Sequence, residues 1–130
     1  AKYADGWIPY MYTPEQLANS ITKIKAYGEE EGRDMSDFTF GMYIFSAVNE
    51  DKDTGIKYAA EKLSVQYAQD FSQLVHKYAL AGNPETCQAR LQEYIDAGAS
   101  LVFVSSACPA EYIDRNLEML ANDVIPAFRS

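Results

Sequence analysis

The run Phe38-Thr39-Phe40-Gly41-Met42-Tyr43-Ile44-Phe45-Ser46-Ala47-Val48 constrains this chain more than any other stretch. Its early part alternates, but from Met42 to Val48 apolar residues occupy both faces. That pattern suits a strand covered above and below, as strands of parallel sheets are. Parallel neighbours require crossover connections, so helices should flank the run in sequence. They do. Upstream, Thr13-Pro14-Glu15-Gln16 has the spacing of a capping box with proline at the first helical position. Leu17, Ile21, Ile24 and Tyr27 or Gly28 then recur at helical spacing up to a stop at Gly32.

The rest of the chain repeats the device. Trp7 to Tyr10 is a short apolar run entered through the Asp5-Gly6 turn, and Leu101-Val102-Phe103-Val104 is another. Between the second and third runs, Ile56, Ala60, Leu63, Tyr67, Phe71, Leu74 and Tyr78 keep one inward stripe. Helix is therefore expected from Thr54 to Leu80, with a break near Gln69 to Ser72 and a stop at Ala81-Gly82. Asn83-Pro84-Glu85 starts a further helix that carries Cys87, Leu91, Tyr94 and Ile95 inward and closes at Gly98. Pro109 opens a last helix, with Tyr112, Ile113, Leu117, Leu120 and Val124 on its stripe and Pro126 at its end. Strands near Gly6–Tyr10, Phe38–Val48 and Leu101–Ser105 thus alternate with helices. The reading is a single α/β domain of about three βα units, with parallel strands and flanking helices.

Three such units make a poor closed structure, because both sheet edges and one face stay uncovered. A complete (β/α)8 barrel needs about 250 residues, and this chain has 130. The sequence therefore reads as part of a (β/α)8 TIM barrel. Tyr3 to Tyr12 reads as a loop, a strand and a second loop with no unit ahead of them. A homodimer that buries the free strand edges or the open barrel face is the expected consequence.

Composition narrows the function. A net charge of −8 argues against nucleic acid or an anionic membrane as partner. No apolar run nears the roughly 18 residues of a membrane span, and no basic-then-apolar pattern of a signal peptide is legible in these residues. Two cysteines make no disulfide framework, so a reducing, cytoplasmic setting is expected.

Several residues invite a chemical reading. Trp7, Tyr10 and Tyr12 stand at the exit of the first strand, where an aromatic ring could stack; aromatic side chains in strands also simply pack. Ser105, Ser106 and Cys108 stand at the exit of the last strand. Cys108 precedes a helix start, which could lower a thiol pKa, whereas a small buried cysteine is inert. His76, the single histidine, has no metal-binding companion at ligand spacing and no partner as a general base, and reads as a surface or lid residue. Glu29-Glu30-Glu31 and Glu50-Asp51-Lys52-Asp53 read as solvated charge. No metal site and no Gly-rich phosphate cradle are legible.

Three segments together resemble the luciferase-like monooxygenase family, the flavin- or deazaflavin-dependent barrels related to bacterial luciferase. They are Ala4-Asp5-Gly6-Trp7, similar to the family's sixth-strand entry; Ala81-Gly82-Asn83-Pro84-Glu85, similar to its alanine-glycine step before a Pro-Glu helix start; and Asp123-Val124-Ile125-Pro126-Ala127-Phe128-Arg129, similar to its closing turn. Glu31-Gly32-Arg33 and Asp96-Ala97-Gly98 fall where the family places helix-ending glycines. The resemblance implies strands six to eight of the barrel and an FMN or deazaflavin cofactor in intact relatives. The family's phosphate-binding loop and several catalytic side chains would lie upstream of Ala1. By the same resemblance this chain alone is expected to bind no cofactor and to be inactive. The alternative is a noncatalytic, self-associating half-barrel or small binding module.

Overall fold

The computed structural model describes residues 6–128. The Tyr3-Ala4-Asp5 part of the opening stretch and Arg129 of the closing turn lie outside those residues. The first strand, β1 (Gly6–Trp7), continues as a single bridge between Tyr10 and Tyr43. Helix α1 (Pro14–Glu30) opens on the anticipated capping box: Thr13 Oγ1 accepts from Gln16 N at 3.2 Å, and Gln16 Oε1 accepts from Thr13 N at 2.9 Å. The long run forms β2 (Thr39–Val48). After it come α2 (Lys52–Tyr67), α3 (Val75–Tyr78), β3 (Ala79–Gly82), α4 (Pro84–Asp96) and β4 (Leu101–Ser106). The chain closes through a 3-10 turn (Ala110–Tyr112), α5 (Ile113–Met119), a π turn (Leu120–Val124) and a second 3-10 turn (Ile125–Phe128).

Three expectations change. Among the described residues the sheet has four strands rather than three, because Ala79–Gly82 is a buried strand and not the tail of a helix. The helix expected to reach Leu80 stops at Tyr67. Ala68 takes a left-handed φ of 54°, and Ser64 Oγ accepts from Phe71 N at 2.9 Å, which turns the chain through the anticipated break. The last helix keeps Leu120 and Val124 inward as expected, but its first turns are rotated from their expected phase. Asn116, Met119, Leu120 and Val124 are buried, whereas Ile113 and Leu117 are exposed. The misplaced residues lie in α5, ahead of the π turn, whose ends Leu120 and Val124 face inward.

All pairings are parallel, and β2 is the hub. Its odd residues bond to one side: Tyr43 N donates to Pro9 O at 2.9 Å, and beyond the strand Asn49 N donates to Gly82 O at 2.9 Å. Its even residues bond to the other, where Phe40 O accepts from Ser100 N at 2.8 Å and Ser46 O accepts from Ala107 N at 2.7 Å. Strands β1 and β3 therefore share one edge of β2, in succession, and β4 takes the opposite edge. The handover coincides with Met11, whose φ of 57° swings the chain away after Tyr10.

The two faces of the sheet differ. On one, Phe38, Phe40, Met42, Ile44 and Val48 pack with Leu17 and Ile21 of α1, Leu91 and Tyr94 of α4, and Met119, Leu120 and Val124 of the C-terminal segment. On the other, Phe45 and Ala47 are covered by Ala59 and Leu63 of α2 together with Phe71 and Val75. That cover reaches only the C-terminal ends of the strands. Below it, Tyr10 (56% exposed), Phe103 (47%), Ile8 (44%) and Leu101 (41%) leave a row of large apolar side chains on an open sheet face. Parallel sheets are ordinarily covered on both faces, so this inner face is the unsatisfied part of the fold.

Candidate functional site

A cleft opens where the covered and uncovered parts of the inner face meet. Its first part, of about 450 Å3, is lined by Ile8 and Tyr10 after β1, Tyr43 and Phe45 of β2, Gln66 and Tyr67 at the end of α2, and Ser105 and Ser106 at the end of β4. Its second part, of about 520 Å3, shares Tyr10 and Tyr67 and adds Met11, Gln69, Phe71, Leu74 and Tyr78. Strand register explains the first set. Ile8, Tyr10, Gly41, Tyr43, Phe45, Leu101, Phe103 and Ser105 fall on one face because β1 and β4 run in parallel register with β2. The cleft thus lies at the carboxyl ends of parallel strands, where α/β barrels build their sites.

Its walls are aromatic and mutually braced. Tyr43 and Phe45 meet edge to face at 5.6 Å, Phe45 and Tyr67 at 6.2 Å, and Tyr67 and Phe71 lie 5.6 Å apart at 34°. Such contacts hold flat faces in fixed orientation. The polar groups are few: the Gln66 and Gln69 amides, the tyrosine hydroxyls and Ser105. Among the described residues no carboxylate, histidine, lysine or arginine lines either part. This arrangement can hold and desolvate a flat ring, but it supplies no strong general acid or base. Met11 stands at a positive φ beside it, a backbone conformation uncommon outside glycine that sites often retain.

Of the residues marked in the sequence, Tyr10, Ser105 and Ser106 come together at this cleft. Ser106 only borders it, because the register of Ser106 with Ser46 places it on the helix-covered face. There Asn116 Nδ2 donates to Ser106 Oγ at 2.9 Å and to Ser46 Oγ at 3.2 Å, while Asn116 Oδ1 accepts from Val48 N at 2.7 Å. Tyr112 closes the network by donating to Val48 O at 2.7 Å. Trp7 and Tyr12 lie on the helix side, packed edge to face at 5.5 Å, and Tyr12 O accepts from the Tyr94 hydroxyl at 2.5 Å. Burial pushes the Tyr94 phenol up to about 12. Cys108 is buried in the cluster under α2, and desolvation raises its pKa despite the nearby helix start; Cys87 is pushed up to about 12 by burial. His76 is exposed on α3 and lines no part of this cleft.

Sequence reasoning missed Tyr43, Tyr67 and Gln66 as cleft residues, and Asn116 altogether. Tyr43 was findable: it alternates with Gly41 and Phe45 on the face opposite Met42 and Ile44. Asn116 sits three residues after Ile113 and one before Leu117, beside the expected apolar stripe rather than on it, so its spacing gave no sign of burial.

Parallel βα units with a site at the strand exits define a partial (β/α)8 barrel. The family model for the luciferase-like monooxygenases matches residues 1–101, and the chain belongs to that family. It is similar in structure to a coenzyme F420-dependent tetrahydromethanopterin reductase from Methanopyrus kandleri, with a TM-score of 0.74 at 18% identity over 98% of this chain and 46% of that one. An F420-dependent secondary alcohol dehydrogenase, solved with an F420–acetone adduct, gives a TM-score of 0.81 at 16% identity over 99% and 44%. A monooxygenase from Streptomyces bottropensis gives 0.71 at 19% over 95% and 41%. The chain spans less than half the length of each. No curated protein sequence matches it. Among the described residues no helix is long and apolar enough to cross a membrane.

Proposed function

We propose that this chain forms the C-terminal share of the ring-binding cleft in a flavin- or deazaflavin-dependent oxidoreductase, a monooxygenase or hydride-transfer enzyme, and does not turn over by itself. The observation that carries this reading is the braced aromatic cleft at the carboxyl ends of β1, β2 and β4. It suits a flat heterocycle; among the described residues the lining offers no cation for a phosphate. The cofactor, when bound, supplies the redox chemistry. Tyr10, Tyr43 and Tyr67 would flank the ring, Phe45 would keep its floor dry, and Gln66 and Ser105 would bond its polar edge. A cytoplasmic setting belongs to the same reading, since Cys87 and Cys108 are both unpaired thiols.

The test is titration of the chain with oxidised FMN, reduced FMN and a deazaflavin, followed by tyrosine fluorescence. The expected result is binding weaker than about 1 mM, equivalent to about 4 kcal/mol, with Tyr10→Ala abolishing what quenching there is. Submillimolar binding would show that the chain holds a cofactor site of its own and would overturn this reading, as would quenching indifferent to Tyr10→Ala.

The exposed inner face favours a second reading, that two copies associate as half-barrels. A two-fold axis along the strands would set the free edge of β4 in one copy beside β1 of the other, all strands parallel, and bury Ile8, Phe103 and Leu101 of both. The charge of −8 on each copy opposes association, so the dimer should tighten with salt. Sedimentation velocity at micromolar concentration is expected to give a dimer that Phe103→Lys returns to monomer. A monomeric parent chain at high salt would refute it.

A further inference from the structure

The second part of the cleft, of about 520 Å3, has walls of its own. Tyr10 and Tyr67 line both parts and so mark the boundary between them. Beyond that boundary the walls are Met11, after β1, and Phe71 and Leu74, which lie in the connection between α2 and α3. Gln69 and Tyr78 complete the lining. Two segments distant in sequence thus meet around one space.

Both segments reach it through unfavourable backbone. Met11 and Ala68, with φ of 57° and 54°, are the two non-glycine residues at positive φ among the described residues. In a regular strand Tyr10 and Met11 would face opposite ways, yet both line this part of the cleft. Met11 packs against the cluster under α2, and the chain passes to the helix side only at Tyr12. Ala68 ends α2 between Tyr67 and Gln69, which are both lining residues. Its φ, with the bond from Phe71 N to Ser64 Oγ at 2.9 Å, sets the turn that leads to Phe71 and Leu74. A non-glycine residue is held at such a φ only where the surrounding fold imposes it, and ligand sites are where that recurs. Here the two instances border the same space.

We propose that this second part is the substrate pocket beside the ring site, and that it takes a small, uncharged, largely apolar organic molecule. The inference rests on the reading of the first part as the place of the ring. The space falls within the range of about 300–1,000 Å3 usual for small-molecule pockets. Among the described residues none of its lining is charged, so a carboxylate or ammonium entering it would lose water and meet no counter-charge. Apolar and aromatic surface is what the pocket offers instead, and the unbranched Met11 side chain can adapt to varied outlines. The shared walls Tyr10 and Tyr67 set its occupant next to the ring.

The experiment is titration of the chain, labelled with 13C at its methionine methyls, with para-fluorobenzyl alcohol and with its charged counterpart para-fluorobenzoate. The Met11 methyl is identified as the resonance missing from Met11→Gly. The alcohol is expected to shift it saturably, with half-saturation at about 10 mM as befits so small a ligand, and to leave the buried Met42 and Met119 methyls in place. The benzoate should bind at least about tenfold more weakly. Followed by 19F line width, alcohol binding should weaken about fivefold in Met11→Gly, where glycine accepts the positive φ, and in Leu74→Gln, at a half-buried position. FMN, at concentrations that quench tyrosine, should leave the alcohol bound. No saturation up to about 100 mM, benzoate binding as well as the alcohol, or indifference to both substitutions would overturn the proposal. Displacement of the alcohol by FMN would do the same, since the two parts would then be one ring site. Loss of alcohol binding while quenching stays dependent on Tyr10 would sink the pocket alone, whereas quenching indifferent to Tyr10→Ala tells against the ring.

Discussion

Replacing Asn116 with alanine is expected to destabilise the protein by about 3 kcal/mol, among the largest effects open to a single side chain here. Asn116 is fully buried, and its one amide holds together the ends of two strands. Its Oδ1 is the acceptor for Val48 N at 2.7 Å, and its Nδ2 reaches Ser106 Oγ at 2.9 Å and Ser46 Oγ at 3.2 Å. The serine hydroxyls can rotate to new partners; Ser46 already lies 3.3 Å from Ser105 O. Val48 N cannot, because it is fixed in the backbone and buried. The loss is therefore dominated by one orphaned N–H, about 1–3 kcal/mol, with a cavity contribution added. Asn116→Leu separates the two, since it refills the volume and still strands Val48 N; it should lose about 2 kcal/mol. Urea unfolding followed by circular dichroism measures both. Either variant within about 0.5 kcal/mol of the parent, the usual range of neutral surface changes, would show that the network is dispensable.

That residue also marks the limit of what the sequence discloses. Apolar periodicity locates β2, α1, α2 and α4 because each carries an unbroken local pattern, and helix starts at Thr13 and Asn83 are legible because capping chemistry is confined to four consecutive residues. Ala79–Gly82 was hidden for the opposite reason. A four-residue strand of alanine, leucine and glycine has no alternation to display, and the stripe of the preceding helix ran through it. Its stability comes from pairing with Phe45–Val48, more than thirty residues away. The candidate cleft divides along the same line. Tyr10 and Ser105 were readable as strand exits. Tyr43 and Tyr67 became wall residues only once register and the ending of α2 were known. Trp7 turned to the helix side because β1 pairs in register with β2, and Tyr12 because the positive φ of Met11 breaks the alternation after Tyr10. Strand parity decides which side chains face the cleft, and parity needs the partner strand.

Gly55→Ala is expected to be the most damaging conservative change in the chain, at about 3 kcal/mol or more and with a fraction that fails to fold. Local propensity argues the other way, because alanine inside a helix is favoured over glycine by about 1 kcal/mol. Packing overrules it. Gly55 lies in the first turns of α2, where the helix crosses the ends of β2 and β3. An added Cβ there would stand 2.6 Å from Gly82 O, 2.8 Å from Ala47 O and 2.9 Å from Gly82 N. All three are backbone atoms, so no side chain can swing aside. Gly82 O is also the acceptor for Asn49 N, and moving it would loosen the junction of β2 with β3. The alternative is for α2 to lift from the sheet, which would expose Ala59 and Leu63 and carry Gln66 and Tyr67 away from the cleft. Gly32→Ala provides the contrast. A Cβ at Gly32 meets nothing within 4 Å, so only its φ of +70° is unfavourable, a loss of about 1–2 kcal/mol. Urea midpoints of the two variants should therefore fall in the order parent, Gly32→Ala, Gly55→Ala. Tyrosine quenching by FMN should weaken only in the second variant. A Gly55→Ala protein as stable as the parent would mean that α2 does not sit on the strand ends, and the cleft built from its last turn would fall with it.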